Sequence, residues 1–102
     1  MSEYTSLEVS KRLAKAGFNE TPDDRYNDAG TIPTDAYRSD TLLAWLVDRE
    51  YQVAVGHSYD GKRYTAFYTN EKGEHGTRRE LADTVPDALA EVVMKVMKEK
   101  VC

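Results

Sequence analysis

The segment YQVAVGHSYDGKRYTAFYT, residues 51–69, decides the fold, because its residues alternate as in two β-strands joined by a tight turn. Asp60 and Gly61 stand at its centre, and Asp-Gly is one of the few dipeptides that accept the positive φ angles of a two-residue hairpin turn. The sequence therefore predicts an antiparallel hairpin, and with it a fold that contains a β-sheet.

A turn at Asp60 and Gly61 also fixes which side chains share a face of the hairpin, since side chains alternate along a strand. One face then holds Tyr51, Val53, Val55, His57, Tyr59, Lys62, Tyr64, Ala66 and Tyr68, with Val53 opposite Tyr68 and His57 opposite Tyr64. The other face holds Gln52, Ala54, Gly56, Ser58, Arg63, Thr65, Phe67 and Thr69. Because the valines and most tyrosines share the first face, we expect the helices to cover it.

Three helices are predicted around the hairpin. The first starts at Ser6, with Thr5 as the cap of the capping box Thr5-Ser6-Leu7-Glu8, and Gly17 stops it. The second is capped by Ser39 or Asp40 and carries a wide apolar arc formed by Leu42, Leu43, Trp45, Leu46 and Val47, with Trp45 as the core anchor. The third is capped by Thr84, and its apolar stripe comprises Val85, Ala88, Leu89, Val92, Val93 and Val96.

Residues 19–38 lack a regular period, so they form either a functional loop or a segment that conceals a short strand near Tyr26 or Thr31-Ile32. After the hairpin, residues 70–76 predict a second turn and residues 77–81 a short third strand. The predicted fold class is α+β in the order α-α-β-β-β-α. We expect one domain over residues 1–102, a three-stranded antiparallel β-meander with helices packed on one face.

The composition limits the possible environments and partners. The only cysteine is Cys102, so an internal disulfide is impossible and a reducing compartment is favoured. The longest apolar run, residues 42–47, is too short to cross a membrane. We therefore expect a soluble cytoplasmic protein. A net charge of -4 disfavours contact with nucleic acid or anionic lipid except through a local basic patch.

The sequence offers little for catalysis. His57 and His75 are the only histidines, and neither has the local context of a nucleophile with its base. We expect His57 to be a half-buried strand residue bonded to the backbone or to a tyrosine hydroxyl. The acidic residues Glu20, Asp23, Asp24, Asp28 and Asp35 lack the ligand spacing of a calcium loop. The prediction is a protein without enzymatic activity, catalytic residues, metal ion, cofactor or small-molecule substrate.

A binding surface is predicted on the hairpin face opposite the helices. Phe67 leaves apolar area exposed there, which a second copy of the chain, a partner protein or residues 19–38 could cover, unless it is a lone surface aromatic. The candidate interface comprises Gln52, Ala54, Arg63, Thr65 and Phe67. Basic and aromatic residues also alternate in residues 62–68, and Arg78 and Arg79 add to a modest basic zone that could contact nucleic acid.

Four segments carry a family resemblance: residues 6–13 (SLEVSKRL), 16–18 (AGF), 42–46 (LLAWL) and 82–91 (ADTVPDALAE). Together they resemble small phage and prophage proteins of unknown function, a resemblance that implies relatives but transfers no active site. The strands followed by Asp83-Thr84 and Asp87-Ala88-Leu89 are also similar to HicB-type antitoxins. The sequence thus predicts a phage or prophage accessory protein that works as a non-catalytic protein-interaction module. The alternative is a nucleic-acid-binding or toxin-neutralising regulatory module.

Overall fold

A computed structural model describes residues 4–18, 20–26, 34–57, 63–70 and 78–100. In chain order its elements are α1 (Leu7–Ala16), β1 (Asp24–Tyr26), β2 (Thr34–Ala36), α2 (Ser39–Asp48), β3 (Tyr51–His57), β4 (Tyr64–Asn70), β5 (Arg78–Ala82) and α3 (Val85–Lys100). The α+β class is confirmed. The Asp60-Gly61 turn, most of the predicted second turn and the predictions for Thr31-Ile32, Asp28, His75 and Cys102 lie outside the described residues.

The three longer strands form an antiparallel meander in the order β3-β4-β5. Val53 pairs with Tyr68 and His57 with Tyr64, so the predicted hairpin register is confirmed. Ala66 and Tyr68 are buried, and Tyr51, Val53, Tyr64 and Ala82 pack against the same core from one face of the sheet. That face is covered by α2, which contacts β3, and by α3, which contacts β4 and β5.

A second, two-stranded antiparallel sheet lies in the segment predicted to be irregular. The strand expected near Tyr26 exists as β1, and it pairs with β2, which the sequence did not indicate. The Arg25 Nε donates to Asp35 Oδ1 at 3.0 Å across this pair. The Tyr37 hydroxyl donates to the Glu20 carbonyl at 3.0 Å. The chain order therefore gains two strands between α1 and α2.

Helix α1 begins one residue later than its sequence suggests. Ser6 is the N-cap, and its Oγ accepts from the Val9 amide at 3.3 Å. The prediction that Thr5 caps the helix is wrong, because the buried Thr5 hydroxyl accepts from the Tyr37 amide at 3.2 Å and lies 2.6 Å from Ser10 Oγ. At the other end Gly17 adopts a φ of 96°, which confirms the glycine stop.

Helix α2 starts at Ser39, with Arg38 as an N-cap that makes no side-chain capping bond. Capping by Ser39 or Asp40 is therefore wrong. Trp45 is 7% exposed, and its ring lies 5.7 Å from that of Phe18, so its place in the core is confirmed. The predicted apolar arc is only partly buried: its covered members are Leu42, Trp45 and Leu46, whereas Leu43 and Val47 are exposed.

Helix α3 is the centre of the core. The Asp87 amide donates to Thr84 Oγ1 at 3.3 Å, as expected of a Thr84 cap. Beyond this turn the helix packs against β4 and β5 on one side and against α1 and α2 on others. Its buried residues include Ala88, Leu89, Ala90, Val92, Val93 and Val96. None of the described helices is both long and apolar enough to cross a membrane.

Candidate protein-binding surface

The face of the meander opposite α2 and α3, called here the outer face, is built by strand register. Phe67 of the central strand pairs with Ala54 on one side and with Arg79 on the other. Two residues before Phe67 on the same strand, Thr65 pairs with Gly56 on one side and with Leu81 on the other. The outer face thus carries Gln52, Ala54, Gly56, Arg63, Thr65, Phe67, Thr69, Arg79 and Leu81.

Two large apolar side chains remain open to solvent on the outer face. Phe67 is 39% exposed and Leu81 is 45% exposed. Beside Phe67 a shallow groove is lined by Gln52, Ala54 and Thr69. Strands β1 and β2 make their main contacts with each other and with α1. Of the three covers considered for Phe67, the described part of residues 19–38 is therefore not the one.

Four of the five predicted interface residues are exposed on this face. Gln52, Ala54, Arg63 and Phe67 are all exposed. Thr65 is the exception, because its side chain is 4% exposed. Thr65 lies on the central strand of the sheet, opposite Gly56 and Leu81. It therefore offers little area to a partner, and its place in the predicted interface stays a prediction.

Leu81 and Arg79 belong to the outer face although the sequence analysis did not assign them there. Both residues lie on β5, which is paired with β4. The sequence between the two strands, residues 71–77, contains no dipeptide typical of a two-residue turn, so it does not predict how β5 aligns with β4. Placing Leu81 opposite Thr65 would have required that register. Once the pairing is known, strand alternation alone assigns both residues to the face of Phe67.

The predicted basic zone is smaller than expected. Arg79 pairs with Phe67 on the outer face, but Arg78 pairs with Tyr68 and therefore points to the opposite face. The Arg78 guanidinium lies 4.8 Å from the centre of the Tyr68 ring. Arg63 and Arg79 remain as the cations on the described outer face. Neighbouring residues on a strand point to opposite faces of the sheet. Arg78 therefore does not belong to the basic zone on the outer face.

His57 is exposed, and the prediction of a half-buried histidine is wrong. Its ring lies 4.9 Å from the Tyr64 ring with an interplanar angle of 34°. β3 is an edge strand and His57 ends it, which explains the exposure. This stacking gives His57 an aromatic neighbour on the adjacent strand.

The described aspartates between residues 20 and 38 form hydrogen bonds and an ion pair within the chain. Asp23 Oδ2 accepts from the Arg38 amide at 2.9 Å, and Asp24 Oδ1 accepts from the Arg25 amide at 2.8 Å. Asp35 pairs with Arg25. Within the described ranges, no group of three or more histidine, cysteine, aspartate or glutamate side chains is arranged to hold a metal ion. These carboxylates stabilise backbone turns and the β1–β2 pair.

Three tyrosines have perturbed ionisation: Tyr37 and Tyr68 are buried in the core, and Tyr26 is partly buried. Burial is the largest cause that raises the pKa of Tyr26, Tyr37 and Tyr68 above 10.0. Nearby carboxylates act in the same direction, whereas Arg78 lowers the pKa of Tyr68. A raised pKa makes a tyrosine a weaker acid, so all three hydroxyls stay protonated near neutral pH.

No protein-family model, curated protein or solved structure matches this chain. The physical case for a site therefore rests on the outer face. That face combines an exposed aromatic, an exposed leucine and a flanking arginine on a rigid sheet.

Proposed function

We propose that this chain is a non-catalytic protein-interaction module whose outer face binds a protein partner. The observation that carries this proposal is the exposure of Phe67 and Leu81 on one open sheet face, at 39% and 45%. Phenylalanine and arginine are both enriched at protein interfaces relative to the rest of the protein surface. Arg79, directly opposite Phe67, provides that arginine.

The resemblance to small phage and prophage proteins supports a more specific role. We propose an accessory protein that binds a host or phage protein in the cytoplasm. The open face suits such a role because it requires no reaction and no cofactor. Its partner would cover the groove beside Phe67, which the described part of the chain leaves open.

A second candidate function is nucleic-acid binding or toxin neutralisation, as the similarity to HicB-type antitoxins implies. The observation in its favour is the pairing of Phe67 with Arg79, since an aromatic ring beside a guanidinium is a platform on which bases can stack. The net charge of -4 opposes it. Protein binding is therefore the stronger proposal.

Affinity capture from the native host tests the proposal with the variant Phe67→Asp. Leu43→Asp is the matched control, because Leu43 is 38% exposed but lies on α2. We expect Phe67→Asp to remain folded and to bind the captured protein about 30-fold more weakly. This is the effect of losing about 2 kcal/mol of binding free energy at one interface residue. Leu43→Asp should retain that protein.

Two results would contradict the proposal. One is capture of the same proteins by wild type and Phe67→Asp. The other is binding to single-stranded oligonucleotides that weakens steeply with salt and with Arg79→Ala, which would favour the second candidate.

A further inference from the structure

The two edges of the meander differ in how they are protected. Native edge strands usually avoid pairing with other chains by carrying charged residues, proline or a bulge. β5 follows this rule, because Arg78, Arg79 and Glu80 supply three charges in five residues. β3 does not, since its seven residues, Tyr-Gln-Val-Ala-Val-Gly-His, include neither proline nor a lysine, arginine, aspartate or glutamate.

Among the described strands β3 forms one edge of the meander, and several of its side chains are exposed. Val55 lies on the helix-covered face, yet it is 38% exposed, whereas its register partner Ala66 is fully buried. On the outer face of the same strand Gln52 and Ala54 are exposed as well. Every second residue of an edge strand also directs its amide and carbonyl away from the sheet. This side of the molecule therefore offers both apolar side chains and backbone hydrogen-bonding groups.

The sequence of β3 allows the strand to pair with a copy of itself, because two valines flank Ala54. When β3 pairs antiparallel with a copy of itself centred on Ala54, Val53 lies opposite Val55. In the same alignment Gln52 lies opposite Gly56, and Tyr51 opposite His57. Valine meets valine on the helix-covered face, and no like charges are opposed.

We propose that two copies of this chain pair through β3, antiparallel and centred on Ala54, to join two three-stranded sheets into one of six strands. The arrangement is a closed two-fold dimer, in which the same patch is used by both copies. The exposed Val55 of each copy is covered by Val53 of the other. The charged β5 strands become the ends of the joined sheet, and the two outer faces lie on one side.

This dimer is independent of the proposed function, because it uses the edge of β3 and not the side chain of Phe67. It adds a consequence for that function, since two Phe67 rings would then lie on one continuous surface. A partner with repeated or two-fold symmetric binding sites could engage both at once.

Disulfide formation between engineered cysteines tests the register directly. In a Cys102→Ser background, Ala54→Cys places two thiols opposite each other, with Cα atoms about 4.5–5.5 Å apart, within the range that a disulfide spans. Gln52→Cys is the matched control on the same face, because two Gln52 positions lie four residues apart along the paired strands, roughly 13 Å. Under mild oxidation we expect Ala54→Cys to form linked dimers at least tenfold faster than Gln52→Cys.

Sedimentation provides the second measurement. Wild type is expected to sediment at twice its chain mass of 11.6 kDa. Val55→Lys should produce monomers, because it introduces a charge at the edge. Leu81→Lys on β5 and Phe67→Asp should remain dimeric. Circular dichroism verifies that each variant is folded.

Three results would overturn the edge pairing. They are a monomeric wild type, equal cross-linking of the two cysteine variants, and a dimer dissociated by Phe67→Asp but not by Val55→Lys. A monomer that still captures protein through Phe67 would overturn this inference alone. A dimer that captures nothing would overturn only the proposed function.

Discussion

The backbone amide of Ser6 donates a 2.7 Å hydrogen bond to Oδ1 of Asp87, a residue 81 positions further along the chain. Ser6 is the N-cap of α1, and Asp87 lies in the first turn of α3, so one carboxylate connects the starts of two helices. Asp87 is 6% exposed. Both helix starts present unpaired amides and partial positive charge, which explains how a buried carboxylate is stabilised there.

Asp87→Ala is therefore expected to destabilise the protein. The part-buried Ser6 amide would lose its acceptor, so we expect a cost of about 1 kcal/mol, the lower end of the penalty for an unsatisfied donor. Asp87→Asn should cost less, because its side-chain oxygen can still accept the bond while the favourable charge is lost. Urea unfolding followed by the fluorescence of Trp45, the single tryptophan, measures both free energies. Asp83→Ala, at an exposed position, is the control, and an equal loss there would contradict the argument.

The turn between α2 and β3 stores strain at Glu50. This residue has a φ of 66°, and its amide donates to the Val47 carbonyl at 2.9 Å. A left-handed conformation costs a non-glycine residue about 1–2 kcal/mol, while glycine adopts it freely. Replacing Glu50 by glycine would remove this cost from the folded state. Part of the resulting gain in stability is offset by the greater freedom of glycine in the unfolded chain.

Glu50→Gly should thus increase the free energy of unfolding by roughly 0.5–1 kcal/mol. Glu50→Ala is the control, since it removes the carboxylate and keeps the unfavourable φ. We expect no gain from alanine in the same denaturation assay. If alanine stabilised the protein as much as glycine does, the charge and not the backbone would be responsible.

The hairpin was predictable because its signals are local. Alternation along residues 51–69 predicts the faces, and a turn at Asp60-Gly61 predicts the register, in which Val53 lies opposite Tyr68 as the structure shows. The β1–β2 pair was not predictable in the same way. Three-residue strands are too short to show a period, and their pairing depends on contacts between distant residues such as Arg25 and Asp35.

The helix caps show a different limit. Thr5 and Ser6 can both cap a helix by their chemistry. Tertiary contacts determine which of the two residues caps α1. The hydroxyl and carbonyl of Thr5 bind Tyr37, Ser10 and Tyr26. Ser6 therefore caps α1. A capping box identifies the neighbourhood of a helix start, and the competing partners of each hydroxyl determine the residue.

The candidate surface was predictable only for the two strands joined by a recognisable turn. Phe67 and Ala54 were placed correctly on the outer face, since they lie in the hairpin. Leu81 and Arg79 were not assigned to it, because the sequence does not set the register of β5. Thr65 was assigned but is buried, which no strand pattern reveals, because burial depends on the sizes of the neighbouring side chains.

Tyr37 carries the last prediction, which concerns alkaline pH. Its side chain is 2% exposed, and its hydroxyl donates to the Glu20 carbonyl at 3.0 Å. Burial first, and then the nearby carboxylates of Asp35, Glu20 and Asp23, raise the pKa of Tyr37 above 10.0. The folded protein therefore holds this proton more tightly than the unfolded chain does.

The sign of the effect follows from that difference. Below pH 10.0, the ordinary pKa, the tyrosine is protonated in both states and its contribution to stability is complete. Above it the unfolded chain releases the proton first, so the free energy of unfolding falls as pH rises toward the folded pKa. Burial shifts Tyr26 and Tyr68 in the same direction, so the decline should include all three.

Tyr37→Phe separates the contribution of this residue. At pH 7 it should lose about 0.5–1.5 kcal/mol, the net value of one hydrogen bond. Between pH 9 and pH 11 its stability should fall less than that of wild type, because the variant has one fewer proton to lose. Urea unfolding at each pH gives the comparison, in which lysine ionisation is common to both proteins. Identical alkaline slopes would show that Tyr37 does not resist ionisation in the folded state.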